Sequence, residues 1–350
     1  MTYIKGRGAQ IDPSNPFDNR VSDQGLKWHD DHEIQSKRRT QYLKTKAKSI
    51  INRVESPDIG MEYSMNPYQG CEHGCIYCYA RNTHTYWGYS AGIEFEQKIL
   101  VKEEAPVLLK KKLQAKNWVP HPIMFSGNTD CYQPAEKKFQ LTRKMLEILW
   151  RFRHPTGIIT KNDLILRDLD LLQKMASENL IKVAISITTL SEELRRKLEP
   201  RTATGIKRLE AVQKLSQAGV PVNVMFAPII PSINDQELFE IAQKAADMGA
   251  LSFNYTMVRL NGDVEILFKD WLKKNFPDRY KRVIHQIESC HGGTVNDSRF
   301  GTRMSGEGNF ADIIRKQVHL ARHKFFKDRE MPAYNTSLYQ TAKTGQLSLF

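Results

Sequence analysis

Residues 66–81 read NPYQGCEHGCIYCYAR, with Cys71, Cys75 and Cys78 spaced C-x3-C-x2-C. In a helix this spacing would set all three cysteines on one face. Pro67, Gly70 and Gly74 argue instead for a loop wrapped around something compact. Three thiolates converging within so short a stretch are soft ligands, suited to an iron–sulfur cluster or to zinc. A structural zinc site takes four ligands, usually as two separated pairs. His73 is a candidate fourth ligand, but it lies very close in sequence to its neighbours for a tetrahedron. A cubane held by three cysteines leaves one iron open to a further molecule.

The rest of the chain is large enough to build a scaffold for such a loop. It has 350 residues, 40% hydrophobic and 26% charged, the balance of a globular protein. That length fits one barrel-sized domain with extensions. The net charge is +13. Part of the excess is clustered: Lys37, Arg38, Arg39, Lys44, Lys46, Lys48 and Arg53 stand in 37–53 with no acidic residue. Arg315, Lys316, Arg322, Lys324, Lys327 and Arg329 stand in 315–329 against Asp328 alone. Such clusters serve solubility or attract polyanions. The N-terminus MTYIKGRGAQ lacks an apolar stretch, and no run is long enough to span a bilayer. Five unevenly spaced cysteines exclude a secreted disulfide scaffold, so a cytoplasmic location is expected.

Residues 1–57 read as a basic N-terminal arm with a candidate helix over 36–52. From Gly60, β-rich runs alternate with helical stretches. MEYSM, PIMFSGN, GIIT, KVAISITT, VPVNVMFAPII and LSFNYTMV read as strands. Apolar positions three and four apart predict helices over 137–152, 168–178, 205–218 and 234–248. Gly219 followed by Pro221 marks a helix end. The alternation predicts an α/β fold with parallel strands and helices outside. About six units fall between residues 60 and 260, so a partial (β/α)6 barrel is expected over 58–262. A helical and Gly-rich extension, 263–330, and a flexible tail, 331–350, follow.

The cysteine motif, its place after the first barrel strand and the six units resemble the radical S-adenosylmethionine (SAM) superfamily. The resemblance covers roughly residues 58–262. It implies a [4Fe–4S] cluster on Cys71, Cys75 and Cys78, with SAM bound through its amino and carboxylate groups to the open iron. It also implies one-electron cleavage of SAM to methionine and a 5′-deoxyadenosyl radical that abstracts hydrogen from the substrate. A reducing electron donor such as flavodoxin or ferredoxin would accompany it. Within the superfamily, GCxxxCxYCY, the strand-end NTD, ITK and ISITTL…LEPR…RLEAVQKLSQAGVPV resemble the subgroup around spore photoproduct lyase, a DNA repair enzyme. The chain is similar to an uncharacterised bacterial branch of that group.

The resemblance carries over residue by residue. Tyr77 and Tyr79 match tyrosines implicated in hydrogen relay, with packing against cluster and adenine as the alternative. Lys161 matches a lysine that meets the SAM carboxylate, at a strand's C-terminal edge where barrel sites lie. Ser186 matches a ribose-contacting serine. Two departures stand out. The usual GGE is replaced by SGNTD, residues 126–130, which makes Asn128, Thr129 and Asp130 the candidate ligands for SAM. Cys131 follows Asp130, near but not at the position of the subgroup's hydrogen-donating cysteine, so it is either a catalytic thiol or a buried bystander. APIIPSIND, residues 227–235, ends the fifth strand, where adenine would be contacted. Glu199 and Arg201 orient SAM or brace the barrel. Cys290 and His291 make a weak metal pair. Arg299 and Arg303 are candidates for phosphate contact.

The chain ends in Gln346, Leu347, Ser348, Leu349 and Phe350, QLSLF. This resembles the pentapeptide by which bacterial polymerases and repair proteins dock on the sliding clamp. It follows a polar linker, as a recruitment peptide would. Three functions stay open on the sequence: a radical SAM enzyme acting on DNA, one acting on RNA or protein, and a non-catalytic iron–sulfur module bound to the clamp.

Overall fold

The computed structural model describes residues 4–15, 17 and 39–339. Its strands are β1 (Gln41–Lys44), β2 (Ile51–Arg53), β3 (Tyr63–Met65), β4 (Tyr68–Gln69), β5 (Lys98–Val101), β6 (Ile123–Phe125), β7 (Thr156–Thr160), β8 (Ile181–Ser186), β9 (Val222–Ile229) and β10 (Ser252–Met257). The larger sheet has the order β10-β9-β8-β7-β6-β3-β2. All neighbours from β3 to β10 run parallel, and β2 closes the edge antiparallel to β3. This is the expected six-unit partial barrel.

Alternation along the strands separates two environments. Val222, Val224 and Phe226 of β9 are fully buried, whereas Asn223, Met225 and Ala227 are not. The first set joins Ile158, Val183 and Ile185 against Leu209, Val212 and Leu215 of the helix Gly205–Gln217. Each such side chain contributes about 1.5–3 kcal/mol by leaving water, which fixes the helices to the outside. Thr204 Oγ1 caps that helix by accepting from Lys207 N at 3.2 Å. At its other end Gly219 takes φ +76°, and Val220 N returns to Leu215 O at 3.0 Å. The closing signal in the sequence therefore works as anticipated.

The helix expected over 137–152 is two helices, Ala135–Phe139 and Leu141–Arg151. Gln140 breaks it at φ +51°. The buried carboxylate of Glu136 then caps the second helix, accepting from Thr142 N at 3.0 Å. It also takes a hydrogen bond from Tyr68 and one from Arg167 at 2.7 Å. A carboxylate at a helix N-terminus offsets the cost of that break.

The candidate helix over 36–52 is also replaced. Among the described residues this stretch forms β1 and β2. β1 lies parallel to β5, which pairs antiparallel with β4, and β4 leads directly into the cysteine loop. The N-terminal region thus builds part of the scaffold: Gly8 lies against Gly74 of the same loop, and Asp12 Oδ1 accepts from Ile93 N at 2.7 Å.

The extension comprises helices Asp263–Asn275, Tyr280–Ser289 and Gly308–Phe326. The last packs on β10 and the helix Leu238–Asp247. Arg322 donates to Phe253 O at 2.7 Å, and Arg329 to Ala250 O at 2.6 Å, so part of the C-terminal basic cluster serves packing. From the segment read as a flexible tail, 331–350, the described residues 331–339 are anchored. Lys182 Nζ lies 4.3 Å from the Tyr334 ring centroid at the N-terminal end of the barrel. Tyr339 is 1% exposed and donates to Leu113 O at 2.5 Å. QLSLF, residues 346–350, lies outside the described residues. No helix among the described residues is long and apolar enough to cross a membrane.

Candidate active site

The cysteine loop follows β3 and β4 at the barrel's C-terminal end and is held from several sides. Cys71 N donates to Phe95 O at 2.9 Å, and Ile76 N to Leu198 O at 3.0 Å. Gly74 sits at φ +68°, and a Cβ there would meet Glu96 Oε2 at 2.7 Å. The loop therefore needs glycine both for its backbone conformation and for this close approach. Glu96 is fully buried and pairs with fully buried Arg81 at 2.5 Å. Arg81 Nε donates to Cys75 O at 2.9 Å. From below, Gly8 N and Ala9 N donate to the Glu96 carboxylate at 3.0 and 2.9 Å. An N-terminal strap, Glu96 and Arg81 thus form one chain of contacts ending on Cys75. The sequence signal was slight, a Gly and an Ala near the N-terminus.

All five cysteines are free, with Cys71 and Cys75 buried and Cys78 half-buried between their two clusters of neighbours. Burial pushes all three loop thiols above their ordinary value. A buried thiolate needs a positive partner, which bound iron supplies. Among the described residues no three His, Cys, Asp or Glu side chains meet at single-ion distance. A cubane distributes its thiolates over separate irons, so the donor set and its spacing fit that group.

Beside the loop lies a polar network built from the ends of β7, β8 and β9, the loop itself and the end of the helix Glu192–Leu198. Tyr77 Oη donates to Glu199 Oε1 at 2.6 Å and lies 3.2 Å from Thr188 Oγ1. Lys161 Nζ reaches Thr188 Oγ1 at 3.3 Å, Ala227 O at 3.2 Å and Glu199 Oε1 at 3.9 Å. Burial works to raise the Glu199 carboxyl, but Arg208 and Lys161, aided by donors from Thr188 and Tyr77, hold it well below the usual carboxylate range. Glu199 therefore stays ionised and fixes Lys161 and Tyr77 around it. Its role here is central, although the sequence marks it only weakly; Thr188 has no sequence signal of its own. Arg201, the other weak candidate, turns away to Glu72 at 3.3 Å.

The residues of SGNTD are also placed. Asn66 Oδ1 accepts from Asn128 N at 2.9 Å and Thr129 N at 3.2 Å. The Asn128 amide donates to Gln69 Oε1 at 2.8 Å, and Thr129 Oγ1 donates to Tyr68 O at 2.8 Å. The Asp130 carboxylate accepts from Thr160 Oγ1, Lys161 N and Tyr132 N at 2.8 Å each, and lies 3.3 Å from His73 Nδ1. Burial opposes its ionisation, yet His73 and these donors hold its carboxyl low. Asp130 thereby braces His73, which stands inside the cysteine loop, and Asn162 meets the other His73 ring nitrogen at 3.1 Å. Ser186 ends β8 at the same rim and is 4% exposed.

The flanking tyrosines diverge. Tyr77 points into the network, whereas Tyr79 is 52% exposed and donates to Gly127 O at 2.7 Å. Cys131 is fully buried in the main core, and burial pushes its thiol well above the ordinary value. Arg299 pairs with Asp297 at 2.9 Å and Glu307 at 2.5 Å, and Arg303 with Asp58 at 2.5 Å. Both guanidiniums considered for phosphate are thus engaged by carboxylates. Cys290 is buried, and His291 Nε2 lies 2.8 Å from Val258 O.

A parallel partial barrel with a three-cysteine loop and a lysine–glutamate–tyrosine network at its C-terminal rim defines a cofactor-dependent barrel enzyme. The Radical SAM superfamily profile matches residues 65–245, and the chain belongs to that superfamily. A [4Fe–4S] cluster and SAM are its cofactors. An uncharacterised protein of Mycobacterium tuberculosis is 31% identical over 238 residues, covering 67% of this chain and 70% of its own. An uncharacterised protein of Methanocaldococcus jannaschii is 32% identical, covering 69% and 86%. Among solved structures, a spore photoproduct lyase mutant covers 88% of this chain and 86% of its own at TM-score 0.58 and 15% identity. A second lyase structure, with bound AdoMet and dinucleoside spore photoproduct, gives TM-score 0.55 at 15% identity. At these identities the likeness is one of fold.

Proposed function

We propose that this enzyme performs radical SAM chemistry on DNA, as a repair or modification reaction. The observation that carries the reading is the placement of Cys71, Cys75 and Cys78 beside the Tyr77–Glu199–Lys161 network at the barrel's C-terminal rim. Cys71, Cys75 and Cys78 hold the cluster. When bound, cluster and SAM together supply one-electron cleavage of SAM and a radical that takes hydrogen from the substrate. Lys161 offers its ammonium to the SAM carboxylate, while Glu199 and Thr188 fix where that ammonium stands. Ser186, Asn128 and Thr129 contribute polar contacts along the same rim, and Asp130 keeps His73 and the loop in place. Tyr79, half exposed above Gly127, is the tyrosine open to a substrate at the mouth.

DNA is supported by the net charge of +13 and by the fold shared with spore photoproduct lyase. A stacked base must be opened or flipped before such a site can reach it. The test is anaerobic reconstitution and reduction, followed by measurement of 5′-deoxyadenosine with and without irradiated oligonucleotides. No cleavage with an intact cluster would sink the radical SAM reading. Cleavage without change to any DNA, but with change to RNA or protein, would move the substrate class.

The tail is read as an address. Gln346, Leu347, Ser348, Leu349 and Phe350 dock on the bacterial sliding clamp and raise the enzyme's concentration at DNA. Clamp pull-down by the full chain and by one lacking 346–350 tests this, and equal capture would rule the pentapeptide out. Flavodoxin or ferredoxin is the class of reductant to supply in these assays.

A further inference from the structure

We propose a second ligand site, for a phosphate oxyanion, in the cavity formed by Arg279, Arg282, Ser232 and Gln236 beside the end of β9. The cavity holds about 400 Å³ and is lined by these residues and Asp235. It lies between the loop after β9 and the segment that begins the helix Tyr280–Ser289.

The case rests first on what these arginines lack. Arg81, Arg143, Arg167, Arg195, Arg208, Arg299 and Arg303 all pair with carboxylates. Among the described residues Arg279 and Arg282 form no ion pair; Arg279 donates only to Ser232 O, at 3.3 Å. Two guanidiniums brought to one cavity repel each other, and an oxyanion accepting from both relieves this with bidentate geometry. One acid, Asp235, stands in the same wall. Asp235 Oδ1 is buried without a hydrogen-bond partner, and burial raises its carboxyl from the ordinary value.

The loop is also built to hold its shape. Ser232 sits at φ +60°, a conformation that non-glycine residues hold at a cost. Its hydroxyl donates to Gln286 Oε1 at 2.6 Å. Asn234 ties the loop down, accepting from Ile230 N at 2.7 Å and donating to Thr188 O at 2.8 Å. Thr188 is part of the network around Lys161, so the cavity is fastened to the rim that carries the active site. A phosphodiester held here would steady a strand entering the barrel, and a free phosphate would use the same donors.

The test uses the full chain and the double variant Arg279→Gln/Arg282→Gln, both checked for folding by circular dichroism. A control, Lys273→Gln/Lys274→Gln, removes the same charge from the neighbouring exposed helix end. Fluorescence anisotropy with a labelled single-stranded oligonucleotide reads the polymer arm. Thermal shift with inorganic phosphate reads the free-ion arm. The expected result is a loss of oligonucleotide affinity of about tenfold in the arginine variant alone. The slope of log affinity against log salt should fall by about 0.7 for each lost phosphate contact. Stabilisation by phosphate, lost in the arginine variant while oligonucleotide binding is unchanged, assigns the site to a free ion. Equal losses in variant and control, or no change in either arm, overturn the site. Neither arm depends on SAM cleavage, so the outcome is separable from the radical chemistry.

Discussion

Tyr77 and Lys161 converge on one oxygen, Glu199 Oε1, at 2.6 and 3.9 Å. The carboxylate is fully buried and also pairs with Arg208. Its ionised state is therefore built in, and the two side chains that share it are positioned by the same charge.

Tyr77→Phe removes the shorter of these contacts. Losing one donor to a buried charge costs about 1.5–3 kcal/mol, and Lys161 is then drawn further toward Glu199. The apparent KM for SAM should rise about tenfold while iron per chain is unchanged. SAM cleavage measured against SAM concentration checks this, and an unaltered KM would remove Tyr77 from the positioning network.

Cys131 offers a cleaner choice between two readings. Its thiol is fully buried in the main core, with Cys131 N bonded to Ser126 Oγ at 2.9 Å. Cys131→Ala should leave the cluster and SAM cleavage intact and cost about 1–2 kcal/mol in stability. Loss of product formation with cleavage retained would instead make it the hydrogen donor.

Much of this was legible in advance, for reasons that differ by element. The parallel barrel shows in the sequence because period-2 runs and 3.6-period stripes repeat with clear helix ends such as Gly219. The cysteine loop shows because three cysteines so close together are rare chemistry. The break at Gln140 does not show, because it depends on Glu136 folding back to cap the next helix. Nor does β1, whose partner β5 lies more than fifty residues away (Gln41 opposite Lys98). The roles of Glu199, Thr188 and Asp130 arise from side chains that meet only in three dimensions. Arg299 and Arg303 look like free cations in sequence because their acidic partners are read separately.

Glu96→Gln tests the strap beneath the loop. Glu96 and Arg81 are both fully buried, and removing one charge from such a pair costs about 3–5 kcal/mol. The variant should retain less iron per chain after reconstitution, whereas Glu193→Gln, in an exposed pair, should retain all of it. Equal iron in both would detach the strap from the cluster loop.

Acid should destabilise the fold through His154. Trp118 Nε1 donates to His154 Nε2 at 3.1 Å, and His154 Nδ1 lies 2.9 Å from Pro155 O. Burial lowers its value from 6.5 to about 4, as it does for His84. The unfolded chain then takes up the proton first, so stability is full above about pH 6.5 and declines as pH falls toward 4. Each histidine contributes on the order of 3 kcal/mol to that decline. Urea midpoints between pH 4 and 7 should show a shallower fall in His154→Gln; an identical slope would count against it.

Tyr339 has a bearing on orientation. It is seated against Leu113 and His154, at the ends of the barrel where β6 and β7 begin. The chain thus departs from the pole opposite the cysteine loop. The last described residues are therefore fastened at the heel of the barrel, and the mouth that carries the cysteine loop is left clear of them.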